Sequence, residues 1–233
     1  MNRLRGIIFD KDGTLFEFSQ TWEAWAHAFL NRIAGTEDRA IELGRTIGFD
    51  LRARRFEPDS IVIAGTPRQV AAALGGSLPH LTMTELVDII NEEASNAPQA
   101  EVVALSGFLQ GLQQDGFQLG VVTNDAEGPA RAHLQSADIL ALFGFVAGSD
   151  SGYGAKPEPG QLLACASAMG LPPKEVLMVG DSTHDLIAAQ RAGMPAVGVL
   201  TGLATAETLA PFSLGVLPHI GHLPAWLKEH RPG

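Results

Sequence analysis

Short apolar runs that end in polar residues recur along this chain, and longer stretches with helical spacing lie between them. Ile7-Ile8-Phe9 is apolar at three successive positions, the pattern of a strand buried on both faces. It runs directly into Asp10-Lys11-Asp12-Gly13-Thr14-Leu15. From about Phe16 to Gln99 the pattern is helical, with breaks. Trp22, Trp25, Ala26, Phe29 and Ile33 share one helical face, which Gly35 closes. A second helix is predicted near Glu37 to Ile47. A third starts at Thr66-Pro67, with proline suited to a first turn. Thr82-Met83-Thr84-Glu85 is a capping box ahead of Leu86, Ile89 and Ile90.

From Glu101 onward, strands and helices alternate. Helices are predicted at Leu105 to Gln114, Glu127 to Ala137, Pro159 to Met169 and His184 to Ala192. Strands are predicted at Leu119 to Asn124, Phe143 to Ala147, Val176 to Asp181 and Ala196 to Leu200, with a last one at Leu214 to Leu217. Strands separated by helix-length segments imply an α/β fold, a Rossmann-like parallel sheet with helices on both faces. Residues 16–99 then read as an all-helical domain inserted after the first strand, and residues 1–15 and 100–233 as the α/β core. The Arg-Pro-Gly end reads as a frayed tail.

Composition narrows the partners. The 233 residues are 45% hydrophobic, enough for a sizeable core. A net charge of -10 argues against nucleic acid or an anionic membrane surface as the main partner. The single cysteine, Cys165, excludes an internal disulfide and lies in the apolar run of a helix. No signal peptide and no bilayer-spanning run is read, so the expected location is the cytoplasm. The expected assembly is a monomer or homodimer.

Three predicted strands end in polar residues: Asp10, Thr123-Asn124 and Asp181, and Lys156 follows a fourth. In open α/β sheets ligands bind beyond the carboxyl ends of the strands. Carboxylates for a cation, donors for an oxyanion and one ammonium would meet there, a set suited to phosphoryl transfer. Each piece alone also reads as a turn or helix cap. Arg45, Arg52, Arg54 and Arg55 read first as a solvated face and second as a substrate contact from the insert. His219 and His222 have a spacing seen in metal sites but sit among Pro218, Gly221 and Pro224, so they read as surface histidines.

Asp10-Lys11-Asp12-Gly13-Thr14, Thr123-Asn124, Lys156-Pro157 and Gly180-Asp181-Ser182-Thr183-His184-Asp185 resemble, in order, the four motifs of the haloacid dehalogenase superfamily. Leu186 to Gly193 is similar to its phosphoglycolate phosphatase-like branch. The resemblance implies a phosphatase of a small-molecule phosphomonoester, with phosphoglycolate the first substrate to consider. It implies Asp10 as nucleophile and Asp12 as acid and base. It implies Thr123, Asn124 (through the backbone near it) and Lys156 as phosphate-binding residues. Mg²⁺ is the implied cofactor, held by Asp10, Asp12 (through its backbone carbonyl) and Asp181, with Asp185 as a supporting acid. The insert would be a mobile helical cap. Lys11 departs from the family, which more often has an apolar residue there. Period-2 alternation from Asp10 and Asp12 predicts that its side chain points away from the site. A phosphomutase on the same core and a catalytically silent binding protein are the alternatives. A Schiff-base phosphonatase is disfavoured because residues 16–99 contain no lysine.

Overall fold

The computed structural model describes residues 4–230, so the Arg-Pro-Gly end lies outside the described residues. The elements run β1 (Gly6–Phe9), α1 (Phe18–Ala34), α2 (Glu37–Thr46), β2 (Phe49–Asp50), β3 (Arg55–Phe56), α3 (Pro67–Gly75), α4 (Met83–Ser95), α5 (Leu105–Gln114) and β4 (Gln118–Val122). They continue with α6 (Glu127–Ser136), β5 (Phe145–Ala147), α7 (Gly160–Ala168), β6 (Val176–Gly180), α8 (Thr183–Ala192), β7 (Ala196–Val199), α9 (Ala206–Leu209), β8 (Val216–Leu217) and α10 (Leu223–Glu229).

Six strands form one parallel sheet in the order β5-β4-β1-β6-β7-β8. Alternation along each strand assigns the two faces. Ile7, Phe9, Leu119, Val121, Leu177, Val179, Val197 and Val199 join one apolar cluster with side chains of α5, α6 and α10. Ile8, Val122, Val176, Met178 and Ala196 join another with α7, α8 and α9. Cys165 of α7 is fully buried in that second cluster, as the sequence predicts. Gly120 makes room for it: a Cβ there would collide with Sγ of Cys165.

A third apolar cluster contains only residues from the insert, Phe18 to Ala94 at its limits, with Trp25, Phe29 and Leu43 at its centre. Trp25 and Phe29 stack with centroids 5.0 Å apart. The capping boxes form at Thr66 and Thr82 as read. The all-helical description needs one correction, because β2 and β3 pair as a short antiparallel hairpin. Gly48, at φ 71°, ends α2, and the Asp50 carboxylate accepts the N–H groups of Arg52 and Ala53 at 2.9 Å each to make the turn. Two residues per strand are too few to show a period.

Three of the predicted strands, those that become β4, β6 and β7, end one or two residues earlier than read. Thr123, Asn124 and Asp181 lie beyond the ladder, whose last matched residues include Val122 and Gly180. Leaving the ladder frees these residues to face the crevice. Register brings them together: Phe9 of β1 lies opposite both Val121 and Val179. Asp10, Thr123 and Asp181 therefore emerge side by side where β1 divides the sheet, with β4 on one side and β6 on the other.

Candidate active site

Asp10 leaves β1 with its N–H donating to the Val179 carbonyl at 2.9 Å. The chain turns back at Gly13, at φ 77°, whose N–H donates to the Phe16 carbonyl at 2.7 Å. No side chain would fit at this turn, because a Cβ on Gly13 would strike the Asp181 carboxylate. Gly202, in the loop after β7, presses on Asp181 in the same way, and Thr201 Oγ1 donates to the Gly13 carbonyl at 2.6 Å. Asp181 is thus held between two glycines.

Lys156 is buried and its ammonium donates to Asp10 Oδ1 at 2.5 Å, to Asp185 Oδ1 at 2.6 Å and to the Val122 carbonyl at 3.2 Å. Asp185, in the first turn of α8, also accepts from the N–H and Oγ of Ser182 at 3.1 and 2.7 Å. One carboxylate oxygen from each of Asp10, Asp181 and Asp185 lies within 4.8 Å of the others. Burial raises Asp10 to about 7, against the pull of Lys156 and with Asp185 and Asp12 adding to the rise. Burial, then Asp10 and Asp185, raise Asp181 well above the usual carboxylate range. Burial works against charge on Lys156, but Asp10 and Asp185 overcome it and hold the ammonium above its ordinary value. Clustered buried acids with a single ammonium form an oxygen-rich site short of positive charge, which a hard divalent cation would supply.

Thr123 is 2% exposed, and its Oγ1 accepts from the Asp125 N–H at 3.0 Å. The Asn124 side chain is committed elsewhere. Its Nδ2 donates to the carbonyls of Lys156 and Ala64, and its Oδ1 accepts from the Lys156 N–H, all at 2.8 Å. It fixes the Lys156 loop and ties the insert to the core.

Lys11 overturns the prediction that it points away. Its Nζ is fully buried and lies 2.8 Å from Asp12 Oδ1, 2.9 Å from His133 Nδ1 and 3.3 Å from Asp125 Oδ2. The residues after β1 are in a turn, where strand alternation no longer applies. An ammonium only donates, so His133 Nδ1 accepts and Nε2 carries the hydrogen that it gives to the Ala94 carbonyl at 2.6 Å. Burial and Lys11 keep this imidazole neutral, with a pKa of about 4. Burial raises Asp125 to about 6 in spite of Lys11. Asp125 and His133 were missed in the sequence. Asp125 follows Thr123-Asn124 directly and could have been read as a further strand-end acid, whereas His133 sits mid-helix with no local signal.

Core and insert together line a cavity. Asp10, Asp12, Thr123, Asn124, Asp125, Lys156, Asp181, His184 and Asp185 line it from the core. Phe18, Trp22, Trp25, Val62, Ile63 and Val70 are among those that line it from the insert. The arginine cluster does not reach it. Arg45 and Arg52 line a surface groove with Asp38, Glu42 and Glu57, and Arg54 lies 3.2 Å from His27. Their reading as a substrate contact is therefore set aside, and the solvated-face reading stands. His219 and His222 face each other with centroids 4.3 Å apart, and His219 Nδ1 accepts from the Gly221 N–H. No described helix is long and apolar enough to cross a membrane.

Comparison with known proteins agrees with this geometry. A family model for haloacid dehalogenase-like hydrolases matches residues 4–193. The chain is 40% identical over 220 residues to a phosphoglycolate phosphatase of Escherichia coli, covering 88% of this chain and 85% of the relative. Its fold resembles that of a predicted phosphoglycolate phosphatase from Haemophilus somnus, with a TM-score of 0.74 at 19% identity over 97% of this chain and 99% of the other. It also resembles a beta-phosphoglucomutase from Clostridium difficile, with a TM-score of 0.65 at 18% identity over 97% and 98% of the two chains. These two structural likenesses speak for the fold alone. The family match spans most of the chain and takes in all four polar strand ends, and on that ground the chain belongs to the haloacid dehalogenase-like hydrolases.

Proposed function

We propose that this protein is a Mg²⁺-dependent phosphatase that hydrolyses a small-molecule phosphomonoester through an aspartyl-phosphate. The observation that carries the reading is the buried group of Asp10, Lys156, Asp181 and Asp185 at the divide of the sheet, with Asp12 and Thr123 on the same cavity. The phosphatase names of the relatives and the family match agree with it.

Asp10 is the nucleophile. Its carboxylate oxygen bonds to phosphorus as the ester P–O bond breaks, and Asp12 gives its proton to the departing oxygen. Asp12 then takes a proton from water. The resulting hydroxide attacks phosphorus, and inorganic phosphate leaves with Asp10 restored. Lys156 offsets negative charge on Asp10 and the phosphoryl group, and Thr123 and the backbone near Asn124 receive phosphate oxygens. Lys11 fixes Asp12 through Oδ1. Asp10 and Asp181, with the Asp12 carbonyl, would hold Mg²⁺, and Asp185 steadies Lys156. Bound there, the cation supplies charge neutralisation that lets an anionic carboxylate approach an anionic phosphate. Residues 16–99 act as a cap that excludes water from the first step.

Release of inorganic phosphate from a panel of phosphomonoesters, with and without Mg²⁺, tests the reading. Asp10→Asn is expected to lose at least about a hundredfold in kcat. Near-normal turnover by that variant would remove Asp10 as nucleophile. Phosphoglycolate belongs in the panel because of the relatives' names.

A further inference from the structure

The cap side of the cavity has a chemistry of its own. Phe18, Trp22, Trp25, Val62, Ile63 and Val70 give it an aromatic and aliphatic wall. No arginine lines the cavity among the described residues, and the insert has no lysine. Among the described residues, the basic side chains that line it are Lys156, already held by Asp10 and Asp185, and His184, from the core side; Lys11, outside the lining, is already paired with Asp12 and Asp125. Carboxylates crowd the remaining polar wall: Asp10, Asp12, Asp125, Asp181 and Asp185. One donor on the cap side is unused. Trp22 is 8% exposed, lines the cavity, and has a buried Nε1–H without a hydrogen-bond partner. Trp25, its neighbour in the wall, by contrast gives its Nε1–H to the Ile90 carbonyl at 3.2 Å.

We propose that the alcohol part of the substrate is a small, uncharged, largely apolar group, and that the Trp22 indole N–H donates to any acceptor on it. The inference rests on the phosphatase reading. A second negative charge on the leaving group would face an apolar wall and several carboxylates with no cation of its own, and burying an unpaired charge is strongly unfavourable. A carboxylate-bearing ester such as phosphoglycolate is thus a poor match, although it leads by the relatives' names. An uncharged group of the same shape would replace water against the rings at no such cost.

Three esters of matched shape test this: phosphoglycolate, its neutral amide, and isobutyl phosphate. With Mg²⁺ present, kcat/KM for both neutral esters is expected to exceed that for phosphoglycolate by at least about tenfold. Trp22→Phe keeps the ring and removes the N–H, so it should lower kcat/KM for the amide more than for isobutyl phosphate. Phosphoglycolate turned over as well as or better than isobutyl phosphate overturns the inference. Loss of that activity in His184→Gln would then identify the side chain responsible. Tryptophan fluorescence titration of Asp10→Asn with the same esters reads binding apart from chemistry. No phosphate from any ester, para-nitrophenyl phosphate included, ends the phosphatase reading. The titration still decides the preference: tighter binding of the neutral esters sustains it, and equal or tighter binding of phosphoglycolate ends it.

Discussion

Lys11 and His133 show how one residue off the usual pattern is accommodated. A buried lysine needs partners, and Asp12, Asp125 and the lone pair of His133 Nδ1 supply them. The cost falls on His133, which must stay neutral, with its pKa lowered from 6.5 to about 4. Between those two values the unfolded chain binds a proton at this position and the folded one does not. The His133 contribution to stability is therefore complete above about pH 6.5 and declines as pH falls towards 4. At full extent the decline is on the order of 3 kcal/mol. Asp125 and Asp10 shift the opposite way, raised to about 6 and 7, and gain stability on acidification. The His133 effect must therefore be read as the difference between wild type and His133→Gln, a variant that can accept from Lys11 and donate to Ala94 without titrating. Urea unfolding from pH 7 to pH 4 should show the wild type losing ground to the variant. A constant difference would mean that His133 is not held neutral.

At the level of elements, the loops after β1 and β7 matter more than the strands they follow. Asp181 follows a strand that is fully buried, but its side chain is oriented by Gly13 and Gly202. Gly202→Ala would drive a methyl into the carboxylate. It is expected to cut Mg²⁺-dependent phosphate release by at least about tenfold through displacement of Asp181. The loop is at the surface, so the melting temperature should move by only a few degrees, about 2–4 °C. Unchanged activity would mean that the loop yields and does not position the acid. Nothing local in Thr201-Gly202-Leu203 announces this role. The glycine looks like any loop glycine until β7 sets it against β6.

Across the whole molecule, the site is a concentration of like charge that the fold tolerates only in part. Asp10, Asp181 and Asp185 are buried together, and Lys156 offsets one of them. A cation that binds the folded state alone stabilises it by mass action, about 2.7 kcal/mol at a hundredfold excess over its dissociation constant. Millimolar Mg²⁺ should therefore raise the melting temperature by several degrees, and Asp181→Asn should abolish most of that rise. A melting temperature indifferent to Mg²⁺ would count against the proposed metal site. Side-chain hydrogen bonds join insert to core here, Asn124 to the Ala64 carbonyl and His133 to the Ala94 carbonyl. Through them, the insert's aromatic wall and the acids line one cavity.

The sequence alone determined the sheet, its helices and the polar residues at its strand ends, because buried strands, helical faces, capping boxes and terminal glycines are local patterns. It also placed Asp10, Asp12, Thr123, Lys156 and Asp181 at one edge, since parallel strands end on the same side. Only the tertiary structure decided where Lys11 points, that the Asn124 side chain serves the backbone, and that the insert's arginines turn to the surface while its tryptophans turn to the cavity. Those outcomes depend on which side chain's charge or ring finds a partner across the fold. That is settled by packing between segments up to more than a hundred residues apart, as Lys11 and His133 are, and no local pattern records it.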